Sequence, residues 1–198
     1  MKKLLLTSNG FASPNIGKRF LELVGKNPEM IRVLFVPTAS QTEHEMSYVY
    51  VSEKELIDLG IPRENIVWVG KLEDADIADY DAIYVCGGNT FYLMSEVRKT
   101  GFDKKIIDFV NNGKVYVGVS AGSIIACPDI SIAESFDSND VNLKDTTGLN
   151  FIDKVITPHY QRKERVIIDA WEEKHSHGVI RLNDGCAVEF LGEKIDVI

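Results

Sequence analysis

The chain has 198 residues, 44% of them hydrophobic and 26% charged, and its formal net charge is −8. This length and composition predict one compact globular domain over residues 1–198 and exclude an intrinsically disordered chain. The acidic balance argues against binding to nucleic acid or to an anionic membrane, because both require a basic surface. No apolar run approaches the ~20 residues that a membrane-spanning helix needs.

The opening segment, residues 1–7, has a basic start and a short apolar run. We interpret it as a buried strand and not as a secretory signal, because polar residues follow the apolar run at once. Three widely spaced cysteines, Cys86, Cys127 and Cys186, are typical of a reducing compartment, so we expect a cytoplasmic protein. The histidines and cysteines have none of the spacings of zinc ligands. We expect neither a metal nor an organic cofactor.

Short apolar runs alternate along the chain with segments of helical periodicity. The runs predict buried strands at 3–7, 32–37, 66–69, 82–86, 115–119 and 155–157. Helices are predicted at 16–24, 45–59, 91–99, 103–111 and 164–174. This alternation indicates βαβ units, and therefore an α/β fold with a mostly parallel sheet between two layers of helices.

The C-terminal part of the chain has a different pattern, with three short strands predicted at 179–182, 186–191 and 194–198. Asn183-Asp184-Gly185 between the first two is a hairpin signal. We therefore predict an antiparallel extension of the sheet. The polar stretch at 137–150 is either a solvated loop or a lid over a site.

The strongest functional signal is Gly118-Val119-Ser120-Ala121-Gly122, which follows a predicted strand and precedes a segment compatible with a helix. This is a G-x-S-x-G nucleophile elbow in the context that it requires. Glycines flank the serine because side chains would collide in so sharp a turn. The motif predicts Ser120 as a nucleophile and the Ala121 N–H as an oxyanion donor. A glycine-rich turn without a catalytic role is the alternative.

A serine nucleophile needs a general base, and His159 is the favoured candidate among the four histidines. It follows the predicted strand 155–157, so it lies at the carboxyl end of a strand, where we also expect Ser120. His175 and His177 end a charged helix and His44 opens one, so each fits an exposed structural role. A structural loop histidine is the alternative for His159.

The acid that would orient the imidazole is not fixed by the sequence. In the chain order of α/β-hydrolases it would fall between Ser120 and His159. Glu134 is our preferred candidate because it stands outside any run of charges. The alternatives in the same interval are Asp129, Asp137 and Asp140.

A second glycine loop follows the strand predicted at 82–86. Gly87 and Gly88 leave the backbone open to a substrate, and Asn89 or Thr90 can cap the next helix. The loop predicts a second oxyanion donor and part of a substrate site, with a plain strand–turn–helix junction as the alternative. We interpret Cys86 as a small core residue, because no basic neighbour in sequence would activate its thiol.

Three segments in combination resemble the motifs of peptidase family S51, the serine peptidases that include peptidase E and cyanophycinase. They are Cys-Gly-Gly-Asn-Thr-Phe at 86–91, Gly-Val-Ser-Ala-Gly at 118–122 and Thr-Pro-His-Tyr at 157–160. The resemblance runs over nearly the whole chain. It implies a three-layer sandwich of the class I glutamine amidotransferase type (flavodoxin-like). It also implies that Ser120 is the nucleophile, His159 the base, and Gly88 and Ala121 the oxyanion donors.

The chain departs from the family pattern at three places. Cys86 replaces the first glycine of the family's loop, but Gly87 and Gly88 are retained. The position of the family's triad Asp falls on Ser135, beside Glu134, so either Glu134 substitutes for that Asp or the third member comes from elsewhere in the chain. The segment after His159 is shorter than in peptidase E. It offers Arg162, Lys163 and Arg165 as contacts for a substrate carboxylate, with a solvated basic face as the alternative.

The resemblance implies a serine-type peptidase that hydrolyses small peptides through an acyl-enzyme, with N-terminal Asp dipeptides as one candidate substrate class. The expected partner is a small peptide, not nucleic acid or a membrane. Monomer and homodimer both stay open. The alternative function is a catalytically impaired module that binds a ligand in the same pocket.

Overall fold

In a computed structural model, which describes residues 1–198, the strands form two sheets of different size. The larger sheet has seven strands in the order β3-β2-β4-β5-β1-β8-β9. These strands are β1 Lys3–Thr7, β2 Val33–Val36, β3 Ile66–Trp68, β4 Ala82–Val85, β5 Val115–Val119, β8 Ala187–Leu191 and β9 Lys194–Val197. The smaller sheet pairs β6 Val155–Thr157 in parallel with β7 Val179–Arg181.

The first five strands of the large sheet run parallel, and β8 and β9 add an antiparallel edge beside β1. Because β4, β5 and β1 are neighbours, the loops that follow their carboxyl ends meet at one place. Those loops hold the predicted glycine loop, the predicted elbow and residues 8–13.

The helices are α1 Pro14–Val24, α2 Glu43–Asp58, α3 Thr90–Lys99, α4 Phe102–Asn111, α5 Ala121–Ile124 and α6 Arg165–His175. Alternate residues of each central strand point to opposite faces of the sheet, as the period of two requires. Leu5 of β1 packs with α1 and α2, while Leu4 and Leu6 pack with α3, α4 and α5 on the other face. The predicted three-layer α/β sandwich is therefore confirmed. No helix combines the length and the apolar character that crossing a membrane requires.

The predicted hairpin at 183–185 is wrong. β7 does not pair with β8, because its hydrogen bonds go to β6, and Leu182 N–H extends that pairing by donating to Thr157 O at 2.9 Å. The strand at 155–157 likewise lies outside the large sheet. Asn183-Asp184-Gly185 is a turn, with Gly185 at φ 80°, but it links the small sheet to the large one.

Candidate active site

Ser120 lies at the tip of the sharp turn from β5 into α5. Its backbone is in a strained region, with φ 50° and ψ −110°, and its N–H donates to Thr7 O at 3.0 Å. A Cβ on Gly118 would lie 2.4 Å from Gly122 O, and a Cβ on Gly122 would lie 2.3 Å from Val85 O. Both glycines are therefore required by close backbone contacts, which is the physical basis of the motif.

The side chains of Ser120, His159 and Asp184 form a continuous chain of hydrogen bonds. His159 Nε2 lies 3.0 Å from Ser120 Oγ, and His159 Nδ1 lies 2.7 Å from Asp184 Oδ1. A carboxylate only accepts, so Nδ1 carries the proton, and Nε2 of the neutral ring is free to accept from the serine hydroxyl. The arrangement is that of a nucleophile, a base and an orienting acid.

Ser8, in the loop after β1, ties this chain to the large sheet. Its fully buried hydroxyl donates to Asp184 Oδ1 at 2.7 Å and accepts from the backbone N–H of His159 at 2.8 Å. His159 has a φ of 55°, which is uncommon for a residue other than glycine. The Ser8 contact holds it there. The neighbouring Asn9 accepts from the Gly185 N–H at 2.8 Å through Oδ1, which fixes the turn that carries Asp184.

Glu134, the acid preferred from the sequence, is not brought to His159. It is exposed on a 3₁₀ helix at Ser131–Ser135 and contacts neither Ser120 nor His159. The position beside the imidazole is held by Asp184, which comes after the histidine in the chain and not before it. The other candidates have partners other than His159: Asp129 accepts from Ser131 N–H, Asp137 from Thr90 N–H and Asp140 from Ser138 Oγ.

The two predicted oxyanion donors lie beside the serine. A Cβ on Gly87 would be 3.2 Å from Ser120 Cβ, so the glycine loop passes directly against the elbow. Gly88 has φ 129°, and a Cβ there would be 2.1 Å from Ala39 O, so only glycine fits. The Gly88 N–H is in no backbone hydrogen bond, and Ala121 opens α5, where a helix has no internal acceptor. Both N–H groups are available to an oxygen bound at Ser120.

Two cavities flank the Ser120–His159 pair. The larger, which we call the large cavity, has a volume of about 540 Å³ and extends from Gly87 and Gly88 along α2 to Glu55. The other, the small cavity, has a volume of about 110 Å³ and lies between α3, the 3₁₀ helix at 131–135 and Pro158. Space is therefore open on both sides of Ser120.

Only some of the remaining predicted site residues lie beside the two cavities. Thr90 lines the small cavity, and its buried Oγ1 has no protein partner. Asn89 caps α3, accepting from Tyr92 N–H at 2.9 Å, and donates to Ser138 O. Arg162 and Arg165 are exposed and line neither cavity, and Arg165 pairs with Asp169 at 3.2 Å. The structure thus brings Thr90 to the site but not the two arginines.

Cys86 reaches the wall of the large cavity, but it is not an activated thiol. It is 2% exposed, and burial raises the pKa of its thiol well above the usual value. The thiolate, which is the reactive form, is therefore disfavoured at neutral pH.

A comparison with known protein families gives a match over almost the whole chain. The sequence profile of the family described as "Peptidase family S51" matches residues 4–198. The chain belongs to peptidase family S51. The resemblance found in the sequence is therefore confirmed, and with it the prediction of a peptidase and hydrolase at the level of the family.

Relatives and solved structures agree with this membership. The uncharacterized peptidase Lmo0363 of Listeria monocytogenes is 37% identical over 166 residues, 81% of this chain and 78% of the relative. Peptidase E of Nostoc sp. is 33% identical over 170 residues, 80% of this chain and 66% of the relative. The crystal structure of a candidate peptidase E protein from Listeria monocytogenes EGD-e superposes with a TM-score of 0.83 at 30% identity, covering 100% of this chain and 98% of that one.

Proposed function

We propose that the protein is a serine-type peptidase that hydrolyses small peptides through an acyl-enzyme. The observation that carries the proposal is the hydrogen-bonded chain from Ser120 Oγ through His159 to Asp184, with distances of 3.0 and 2.7 Å. Its position next to two free N–H groups and between two cavities matches what acyl transfer requires.

In the proposed reaction His159 Nε2 takes the proton of Ser120 as Oγ attacks the carbonyl carbon of the peptide bond. The oxyanion that forms is held by the N–H groups of Gly88 and Ala121. The imidazolium, stabilised by Asp184, then gives its proton to the leaving amine, and the C–N bond breaks. Water, deprotonated by the same nitrogen, attacks the acyl-enzyme and releases the acid product with Ser120 restored.

The alternative of a catalytically impaired binding module was motivated by the lack of a clear acid partner for His159. The contact between Asp184 and Nδ1 removes that motivation. The preference for N-terminal Asp has no support from the site, because no lysine or arginine lines either cavity to receive a carboxylate.

The test is turnover of a panel of unmodified dipeptides and tripeptides by the parent protein, Ser120→Ala and His159→Ala. We expect the parent to cleave members of the panel, and each variant to lose roughly 10³-fold or more in kcat. Saturable binding by the parent with no cleavage of any peptide would favour the binding module. Cleavage by Ser120→Ala at the parent rate would contradict the proposed mechanism.

A further inference from the structure

The walls of the two cavities carry four carboxylates besides Asp184 and no lysine or arginine. They are Glu45 and Glu55 in the large cavity and Asp137 and Glu164 in the small one. Carboxylates elsewhere on the chain commonly sit in ion pairs, for example Glu189 with Arg19 and Asp81 with Lys26. None of the four at the cavities is in an ion pair.

Glu55 is the carboxylate best placed to meet a ligand. It is half-buried, and its Oε2 accepts from the Phe11 N–H at 2.8 Å, which fixes the side chain against the loop after β1. Burial, the largest effect, raises the pKa of Glu55, and the Phe11 hydrogen bond opposes that rise. Its other oxygen, Oε1, has no protein partner. A partly desolvated carboxylate without a counter-ion is stabilised by any cation that the cavity admits.

Glu45, the other acid of the large cavity, differs from Glu55 in its hydrogen bonds. Its Oε2 accepts from Gln41 N–H, Thr42 N–H and Thr42 Oγ1, as the reciprocal cap of α2. Glu45 therefore adds negative charge to the large cavity while its geometry is fixed by the helix. Oε1 of each acid has no protein partner, but the Glu55 carboxylate accepts one hydrogen bond where that of Glu45 accepts three.

From this charge distribution, and resting on the proposed peptidase function, we propose that the site selects peptides by a positive charge, which Glu55 receives in the large cavity. The chemical class is a peptide with a cationic group, either a lysine or arginine side chain or a free α-amino group. An aspartyl side chain is disfavoured, because it would enter a field made only of negative charges.

The test compares Lys-Ala, norleucine-Ala and Asp-Ala, each with a free and with an acetylated amino terminus. Norleucine has the unbranched chain of lysine without its charge. We expect kcat/KM for Lys-Ala to exceed that for Asp-Ala by about tenfold or more, and the ratio to fall as salt is added. If the side chain is the cation, Lys-Ala also exceeds norleucine-Ala and keeps that advantage after acetylation. If the α-amino group is the cation, acetylation abolishes turnover of both alike.

Glu55→Gln tests the residue itself. Gln keeps an oxygen that accepts from the Phe11 N–H, so the local structure is retained while the charge is removed. We expect the preference for the cationic peptide over its uncharged counterpart to fall at least about fivefold. The matched control is Glu193→Gln, which makes the same charge change in the exposed turn between β8 and β9. It should keep the preference of the parent.

Binding to Ser120→Ala, measured by titration calorimetry with the same peptides, makes this result independent of catalysis. Tighter binding of Lys-Ala than of Asp-Ala supports selection by charge even if the proposed mechanism fails. Equal or tighter binding of Asp-Ala, or an unchanged preference in Glu55→Gln, would overturn it. Cleavage of the panel without any charge preference would overturn the charge selection and leave the peptidase proposal intact.

Discussion

His159 Nδ1 lies 2.7 Å from Asp184 Oδ1 although 25 residues separate the two in the chain. The small sheet explains the contact. β6 and β7 run parallel in register, with Thr157 opposite Arg181, and His159 and Asp184 follow the two strands by two and three residues. Neighbouring strands of one small sheet therefore bring the proposed base and the proposed acid together, while Ser120 follows a strand of the large sheet.

Asp184→Asn tests the assignment of the acid. The amide removes the negative charge that stabilises the imidazolium and can reverse the tautomer of His159. We expect kcat to fall by about 10³–10⁴-fold, with a smaller change in KM. Steady-state kinetics on the best peptide of the panel measure both.

Glu134→Gln is the control for that experiment, because it changes one exposed carboxylate that does not contact His159. We expect its kcat to stay within about twofold of the parent. The reverse pattern, a large loss in Glu134→Gln and none in Asp184→Asn, would contradict the assignment.

Ser8→Ala tests the role of Ser8 as a positioning residue. Loss of the hydroxyl removes a hydrogen bond to Asp184 and one from the His159 N–H, each of which fixes the geometry of the imidazole. We expect kcat to fall about 10- to 100-fold at nearly constant KM. Ser8→Thr keeps the hydroxyl and should recover most of the rate. Equal losses in both variants would indicate a packing role instead.

Local sequence patterns predicted the serine and histidine positions because each depends on a few adjacent residues. The elbow requires Gly118 and Gly122 within the motif itself, and His159 comes two residues after the end of an apolar strand. Asp184 was missed because the acid was expected between Ser120 and His159, in the chain order of α/β-hydrolases. The pairing of β7 with β6, which brings Asp184 to His159, depends on residues more than 20 positions apart. A strand flanked by Asp at its carboxyl end is the signal that could have found it.

Ser8 and the two arginines were also not placed correctly from the sequence, because their surroundings depend on contacts between distant parts of the chain. Nothing distinguishes Ser8 in the sequence, since its importance arises only where the loop after β1 meets the turn at Asp184. Arg162 and Arg165 were expected near a substrate carboxylate because they follow His159 closely. Both are exposed instead. Arg162 lies in a 3₁₀ turn at Arg162–Glu164, and Arg165 begins α6, whose buried residue is Ile168.

Gly88→Ala should abolish activity by displacing the glycine loop. At φ 129°, with Ala39 O only 2.1 Å from the position of a Cβ, the glycine loop and the segment at Ala39 have to move apart. We expect a loss of more than about 2 kcal/mol in the free energy of unfolding. Gly70→Ala is the matched control, because no atom lies within 4 Å of its Cβ position. Denaturant unfolding should place that control within about 0.5 kcal/mol of the parent.

Alkylation by a reagent that attacks thiols should leave the peptidase activity unchanged near neutral pH. Burial raises the pKa of the Cys86 thiol well above its usual value, so the reactive thiolate is scarce until the pH is strongly alkaline. Iodoacetamide at pH 7.5 (about one unit below the ordinary pKa of a cysteine) should leave Cys86 unmodified by peptide mass spectrometry, with full retention of activity. Rapid inactivation with carboxymethylation of Cys86 would contradict this account.

The most direct measurement is covalent labelling of the active protein with a fluorophosphonate, followed by mapping of the adduct by mass spectrometry. The proposed mechanism predicts one adduct per chain, on Ser120, formed in step with the loss of peptide hydrolysis and absent from His159→Ala. Complete inactivation with Ser120 unmodified, or full peptidase activity in a protein labelled at Ser120, would contradict it.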